Sequence, residues 1–181
     1  MIRSFGDKRP RIHPTAFVSE AAYVVGDVEI GEGSSVWPGA VIRANRYKIR
    51  IGKHVNIQDN SVIHADEDAT YGDYITIGHM ALSHATVVED HCLIGNGATI
   101  NGYSTIRHHS LIAAGAVVLE RVEIPPNSLV VGAPGEVRRT VMERHLELME
   151  RYNTDYQQYT RDFKEAGLQD PDQEKYADPS V

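Results

Sequence analysis

An aliphatic residue recurs at every sixth position along most of this chain, and that spacing restricts the fold more than any other feature. Val88, Ile94, Ile100, Ile106, Ile112, Val118, Ile124 and Val130 form one unbroken series. Val18, Val24, Ile30, Val36 and Ile42 form an earlier one, followed by Ile51, Ile57 and Ile63. Four residues after most of them stands a small side chain, as at Ala98, Ser104, Ser110, Ala116 and Ser128. A helix repeats its apolar face every 3.6 residues and a strand every 2, so neither yields a period of six. Hexads of this kind build an all-β parallel β-helix, in which each hexad is one short face and stacked coils bury a continuous core. Three hexads make one triangular coil, so Val88, Ile106 and Ile124 should stack, with coils about 4.8 Å apart. The ladders suffice for roughly five to six coils. An ordinary β-sandwich of short strands does not account for so regular a repeat.

The repeat stops after Val130, which bounds the solenoid at residues 1–135. Gly132-Ala133-Pro134 reads as an exit turn, and a helix packed along the prism is expected within residues 136–168. Thr140 with Glu143 three residues later has the spacing of a capping box. Val141, Leu148, Tyr152, Tyr156, Tyr159 and Phe163 supply an apolar stripe, and Gly167 a stop. The tail, residues 169–181, is polar and rich in Asp, Gln and Pro, a composition expected to be disordered.

A formal charge of −7 without any basic run argues against nucleic-acid binding. No apolar run approaches the ~18 residues that a membrane-spanning helix needs. Residues Met1 to Pro10 lack the apolar centre of a signal peptide, so a cytoplasmic protein is expected. The single cysteine, Cys92, excludes an internal disulfide. It sits at a small-residue corner position, which favours a packed small hydrophobe over a nucleophile.

The ladder breaks twice, and insertions into a regular solenoid map to loops that often carry function. From Ile42 to Ile51 the step is nine, three residues more than a hexad, within Arg43-Ala44-Asn45-Arg46-Tyr47-Lys48. From Ile63 to Leu82 it is 19, and the intervening Ala65-Asp66-Glu67-Asp68-Ala69-Thr70 is acidic and unpatterned. Three histidines lie among these breaks. His64 directly follows an inward residue and should face outward. His84, 20 residues later, should stack on the same face one level away, whereas His79 should lie on a neighbouring face. Such a set cannot easily converge within one prism. It can converge where a corner of one prism meets a face of another, and a closed trimer provides three such clefts. Three imidazoles with one open position are the ligand set of a catalytic zinc site. Spacing alone does not distinguish these three from the other histidines of the chain, since a surface histidine is ordinarily a solvated polar group.

Their neighbourhood does. Asn56-Ile57-Gln58-Asp59-Asn60-Ser61-Val62-Ile63-His64 and Ile77-Gly78-His79-Met80-Ala81-Leu82-Ser83-His84 resemble the γ-class carbonic anhydrases and their relatives. Val36-Trp37-Pro38 and the stretch from Ile124-Pro125-Pro126 to Gly132-Ala133-Pro134 extend the resemblance over nearly the whole chain. It implies a left-handed coil and a homotrimer with metal sites between subunits. His64 and His84 would come from one subunit and His79 from its neighbour, binding zinc, or alternatively iron or cobalt. The implied reaction is reversible hydration of carbon dioxide to bicarbonate by a metal-bound hydroxide.

By the same resemblance, Gln58 would hydrogen-bond near the metal-bound water, Asp59 would pair with Arg43, and Glu67 would carry the proton, with Asp66 and Asp68 as alternatives. Tyr152 or Tyr156 would stand near the site. The chain departs from the family's Arg-Gly-Asp pattern at Arg43-Ala44-Asn45, where Asn45 loses a charge but keeps shape and some hydrogen bonding. The alternatives are a non-catalytic or weakly active metal-binding relative, and a hexapeptide acyltransferase or other protein acting on acyl-coenzyme A.

Overall fold

The computed structural model describes residues 1–181. Two-residue strands form where an inward aliphatic follows an outward residue, as in Thr76–Ile77, Leu93–Ile94, Thr105–Ile106 and Leu111–Ile112. They wind into a left-handed parallel β-helix of about seven turns, followed by one C-terminal helix. Three columns of inward side chains define the faces. The first is Val18, Val36, Ile57, Ile77, Ile94, Ile112 and Val130. The second is Ile2, Val24, Ile42, Ile63, Ser83, Ile100 and Val118. The third is Ile12, Ile30, Ile51, Tyr71, Val88, Ile106 and Ile124. Every one is buried, and together they form one continuous core.

The turns outnumber those counted from the ladders because the inward series also takes in Ile2, Ile12 and Ile77, which stand outside the unbroken runs, and Tyr71 and Ser83, which do not look like ladder members. Leu82 is 37% exposed, and Ser83 takes the inward place at 0%. The reason is Tyr71, which fills the prism beside it: its hydroxyl lies 2.7 Å from Ser83 Oγ. A small polar residue there leaves room for the ring and partners its hydroxyl.

The first ladder break is a continuous strand rather than a hanging loop. Val41–Ile51 crosses from the second face to the third, and its extra residues bulge between the pairs Gly26–Ala44 and Val28–Ile49. Gly26 is required there: its φ is +91°, and a Cβ would sit 2.2 Å from the Ala44 carbonyl oxygen.

The helix begins later than the capping spacing suggested. Thr140 ends a strand, Glu136–Thr140, that pairs antiparallel with Ser128–Val131 and covers the edge of the last turn. The helix itself runs Glu143–Glu165, and the Met142 amide donates to His145 Nδ1 at 2.9 Å. Pairing a whole strand outweighs one side-chain cap. Met149, Leu148 and Tyr152 lie against Leu93, Leu111 and Leu129 on the first face. Further along, Tyr156 and Phe163 pack edge-on to Trp37, with centroids 5.1 and 4.9 Å away. Gly167, at φ +75°, ends the helix.

The tail expected to be disordered is instead folded. Asp170 and Gln173 are buried, and a short 3-10 turn spans Gln173–Tyr176. Its composition lacks a core of its own, but the open first turn supplies one. No helix is long and apolar enough to cross a membrane.

Candidate metal site

The register that pairs Ile63 with Ser83 sets His64 and His84 side by side on the outer surface of the second face. Their rings meet edge to face with centroids 5.1 Å apart. His64 Nδ1–H donates to the Arg43 carbonyl at 2.6 Å, one strand away. A carbonyl can only accept, so Nδ1 carries the proton and Nε2 keeps its lone pair in the neutral ring. His84 Nδ1 lies 3.6 Å from Asp66 Oδ2. Partial burial, and then the neighbouring His64, hold the His84 imidazole below the ordinary histidine range, with Asp66 opposing. Both effects favour the neutral ring that a metal requires.

The acidic loop divides its carboxylates. Asp66 faces His84 and is 58% exposed. Glu67 accepts a hydrogen bond from the Thr86 hydroxyl, and Asp68 accepts one from the Lys48 amide at 2.9 Å. Thr86 was not anticipated. The one trace it leaves in the sequence is the five-residue step from Ser83 to Val88. Arg43 Nη1 donates to Asn45 Oδ1 at 3.0 Å, so the asparagine keeps a link to the arginine within one chain.

His79 stands apart, at the corner leaving the first face. Asp59 Oδ2 is 3.1 Å from its Nδ1, and the Tyr156 hydroxyl is 3.3 Å from its Nε2. Within a single chain Asp59 therefore faces His79, not Arg43. Burial first, and then the charge of Asp59, push the Tyr156 phenol up to about 12, so it stays a donor at neutral pH. Gln58 shares this corner. It is buried, donates to Asn56 Oδ1 at 3.0 Å, and lines a cleft of about 340 Å³ with His79, Tyr152 and Tyr156. The far end of that cleft is apolar, formed by Leu93, Leu111 and Leu148.

The expected site residues thus fall into two groups. Arg43, Asn45, His64, Glu67 and His84 belong to the second face and its loop. Gln58, Asp59 and His79 belong to the corner beneath the helix. One chain brings no three histidine, cysteine or carboxylate groups together as a metal cluster. The donor chemistry of the His64–His84 pair, two adjacent imidazoles with the His64 proton committed to the Arg43 carbonyl through Nδ1, fits part of a divalent-metal ligand set. Cys92 plays no part: it is buried, and burial pushes its thiol up to about 12.

Over 131 residues the chain is 45% identical to a protein of Methanocaldococcus jannaschii named as a probable carbonic anhydrase, covering 71% of this chain and 82% of that one. The chain belongs to the γ-class carbonic anhydrase family. It is also 36% identical over 158 residues to the mitochondrial γ carbonic anhydrase 1 of Arabidopsis thaliana. That match covers 83% of this chain and only 58% of the plant protein. Among solved structures, a Bacillus cereus protein described as an acetyltransferase superposes with a TM-score of 0.87 at 32% identity, covering 90% of this chain and 96% of that one. No protein-family model matches the chain. The fold is therefore shared with proteins named for a different chemistry.

Proposed function

We propose that the protein catalyses the reversible hydration of carbon dioxide to bicarbonate at sites shared between neighbouring subunits of a homotrimer. The observation that carries this reading is the division of the site into two incomplete halves. His64 and His84 present imidazole edges on one face, while His79 waits at a different corner with Asp59 on its Nδ1. A subunit whose corner met its neighbour's second face would bring the three rings together. The surface beside His64 and His84 suits such burial: Val41, Val62, Leu82, Thr99 and Val117 point outward along it, none of them buried.

Zinc, or iron or cobalt, would be held by His64 and His84 of one subunit and by His79 of the next, the Tyr156 hydroxyl giving up His79 Nε2 to the metal. Such an ion would supply a nucleophile at neutral pH by lowering the pKa of a coordinated water far below that of bulk water, to roughly 7. This chain's residues do the rest. The Arg43 carbonyl fixes the tautomer of His64, as Asp59 fixes that of His79, while Asp66 stands 3.6 Å from His84 Nδ1 as its nearest carboxylate. Gln58, buried beside His79, hydrogen-bonds the water or bicarbonate. The acidic loop takes the released proton, Asp66 being the exposed carboxylate beside His84 and Glu67 a second acceptor tethered by Thr86.

Complementation between defective chains tests the shared site. His79→Ala and His84→Ala chains should each lose metal and hydration activity while staying folded. Co-refolded in equal amounts, they should recover roughly a quarter of the intact sites, because one ordered pair in four joins a sound histidine pair to a sound His79. A mixture that regains neither metal nor rate, or a single variant that keeps both, sinks the proposal.

The apolar cleft of about 340 Å³ beside His79 supports a second reading, transfer of an acyl group, as the likeness to the Bacillus cereus protein suggests. Acyl-coenzyme A turnover that survives His84→Ala but not His79→Ala would favour it.

A further inference from the structure

The folded tail stands where a further coil of the solenoid would stand. On the third face, Ala177 bridges Ile12 in parallel register, and the Asp178 amide donates to the Ile12 carbonyl at 2.9 Å. On the first face, the Asp170 amide donates to the Val18 carbonyl at 2.8 Å, and Gln169 bridges Ser19. Gln173 then does with its side chain what a backbone peptide would do. Its Oε1 accepts from the Val18 amide and its Nε2 donates to the Ala16 carbonyl, both at 2.9 Å. Gln173 is 3% exposed, and Tyr176 packs on the core beneath. Around this plug the links are ionic. Asp170 pairs with the Met1 amine at 2.8 Å, Asp172 with Arg3 at 3.4 Å, and Asp178 with Arg11 at 3.5 Å.

Without these residues the first turn would present a row of unpaired backbone groups: the carbonyls of Ile12, Ala16 and Val18 and the amide of Val18. Exposed strand edges of this kind template pairing with another chain, and terminal repeats of solenoids need covering for that reason. We propose that residues 168–178 plug a self-association edge, and that displacing them lets the first turns of two copies of this chain pair with one another. The partner is a second copy because an edge carrying both donors and acceptors is complementary to itself about a two-fold axis. The opposite end of the solenoid is a poorer match, since the strand Glu136–Thr140 already covers its first face and Pro125 and Pro126 follow the last strand of its third. The Met1 amine and Arg3 would lose their acidic partners when the plug leaves, while Arg11 keeps Glu29, so the association should strengthen as salt screens the unpaired cations.

Full-length variants test the plug. Gln173→Ala removes both side-chain bonds to the first face, and Asp178→Pro removes the donor to Ile12. Ala177 already has the extended backbone that precedes a proline, with φ −65° and ψ 130°. Hydrogen exchange at the Val18 amide, light-scattering mass across a concentration series at high salt, and circular dichroism are measured on each variant. In the double variant, Val18 exchange should rise about tenfold or more, and the mass should move with concentration toward twice that of the parent assembly. Faster exchange with an unchanged mass overturns the self-association edge, and unchanged exchange overturns the plug. If the double variant loses its β signal, Gln173→Glu serves in its place: it keeps an acceptor for Val18, loses the donor to Ala16, and should show both changes to a smaller degree.

Discussion

Tyr71 and Ser83 form a polar pair inside an otherwise aliphatic prism, and their coupling can be worked out in advance. Tyr71 is 1% exposed, Ser83 is 0% exposed, and their hydroxyls are 2.7 Å apart. Ser83→Ala deletes one oxygen and strands the Tyr71 hydroxyl in a dry core. Leaving a buried polar group without a partner costs about 1–3 kcal/mol. Tyr71→Phe strands the serine instead and should cost a similar amount. The double variant strands neither group, and replacing both partners by apolar groups can be nearly neutral. With a nearly neutral double variant, the two single losses should therefore fail to add by about 2–6 kcal/mol, the sum of the two. Urea denaturation of metal-free protein at one fixed concentration, followed by the emission of Trp37, measures all four corners of the cycle. With a denaturant slope of about 2 kcal/mol per molar, a loss of 2 kcal/mol moves the midpoint by about 1 M. A double variant as unstable as the sum of the singles, or a Ser83→Ala variant within about 0.5 kcal/mol of the parent, would refute the reasoning.

Three shorter predictions concern the site and its surroundings. Asn45→Asp places a carboxylate where Arg43 now meets an amide oxygen at 3.0 Å. The change should strengthen that contact and raise the rate of carbon dioxide hydration, and stopped-flow kinetics showing an equal or lower rate would count against Asn45 as a brake. His84 is held below the ordinary histidine range in the folded chain by burial and by His64. Its contribution to stability is therefore full above the unfolded value of about 6.5 and is lost as pH falls through the lower folded value. In metal-free protein, His84→Asn should flatten the decline in stability between about pH 7 and 5, a window that urea titrations at several pH values can read. Cys92 is buried with its thiol pushed up to about 12, so a thiol reagent at pH 8 should label it only after denaturant unfolds the coils. Rapid labelling of the native protein would contradict the packing described for its corner.

The C-terminal tail and the second ladder break show why some elements were legible and others were not. A strict period of six is a local property: each hexad carries its own inward aliphatic, so Ile94, Ile112 and Val130 announce their stacking without knowledge of the rest. Tyr71 and Ser83 gave no such signal, because an aromatic and a hydroxyl become inward residues only by fitting each other across two faces. Thr140 has the spacing of a helix cap, yet pairing with Ser128 decides its conformation. Gln173 reads as solvated polarity until the open edge at Val18 gives its carboxamide two partners.

The site divides along the same line. His64, His79 and His84 could be singled out from the sequence because their flanking residues carry the family's pattern, and the 20-residue step already implied that His64 and His84 would be neighbours. Their division of labour could not be read there. That Asp66 rather than Glu67 faces His84, that Thr86 tethers Glu67, and that Asp59 and Tyr156 bracket His79 all depend on groups from different coils and from the helix meeting at distances near 3 Å. The chain alone determined its solenoid, since six-residue periodicity and buried aliphatic area act within each repeat. Only the tertiary structure decided which carboxylate, hydroxyl or carbonyl each histidine touches, because a hydrogen bond depends on tenths of an ångström between segments that the sequence holds far apart.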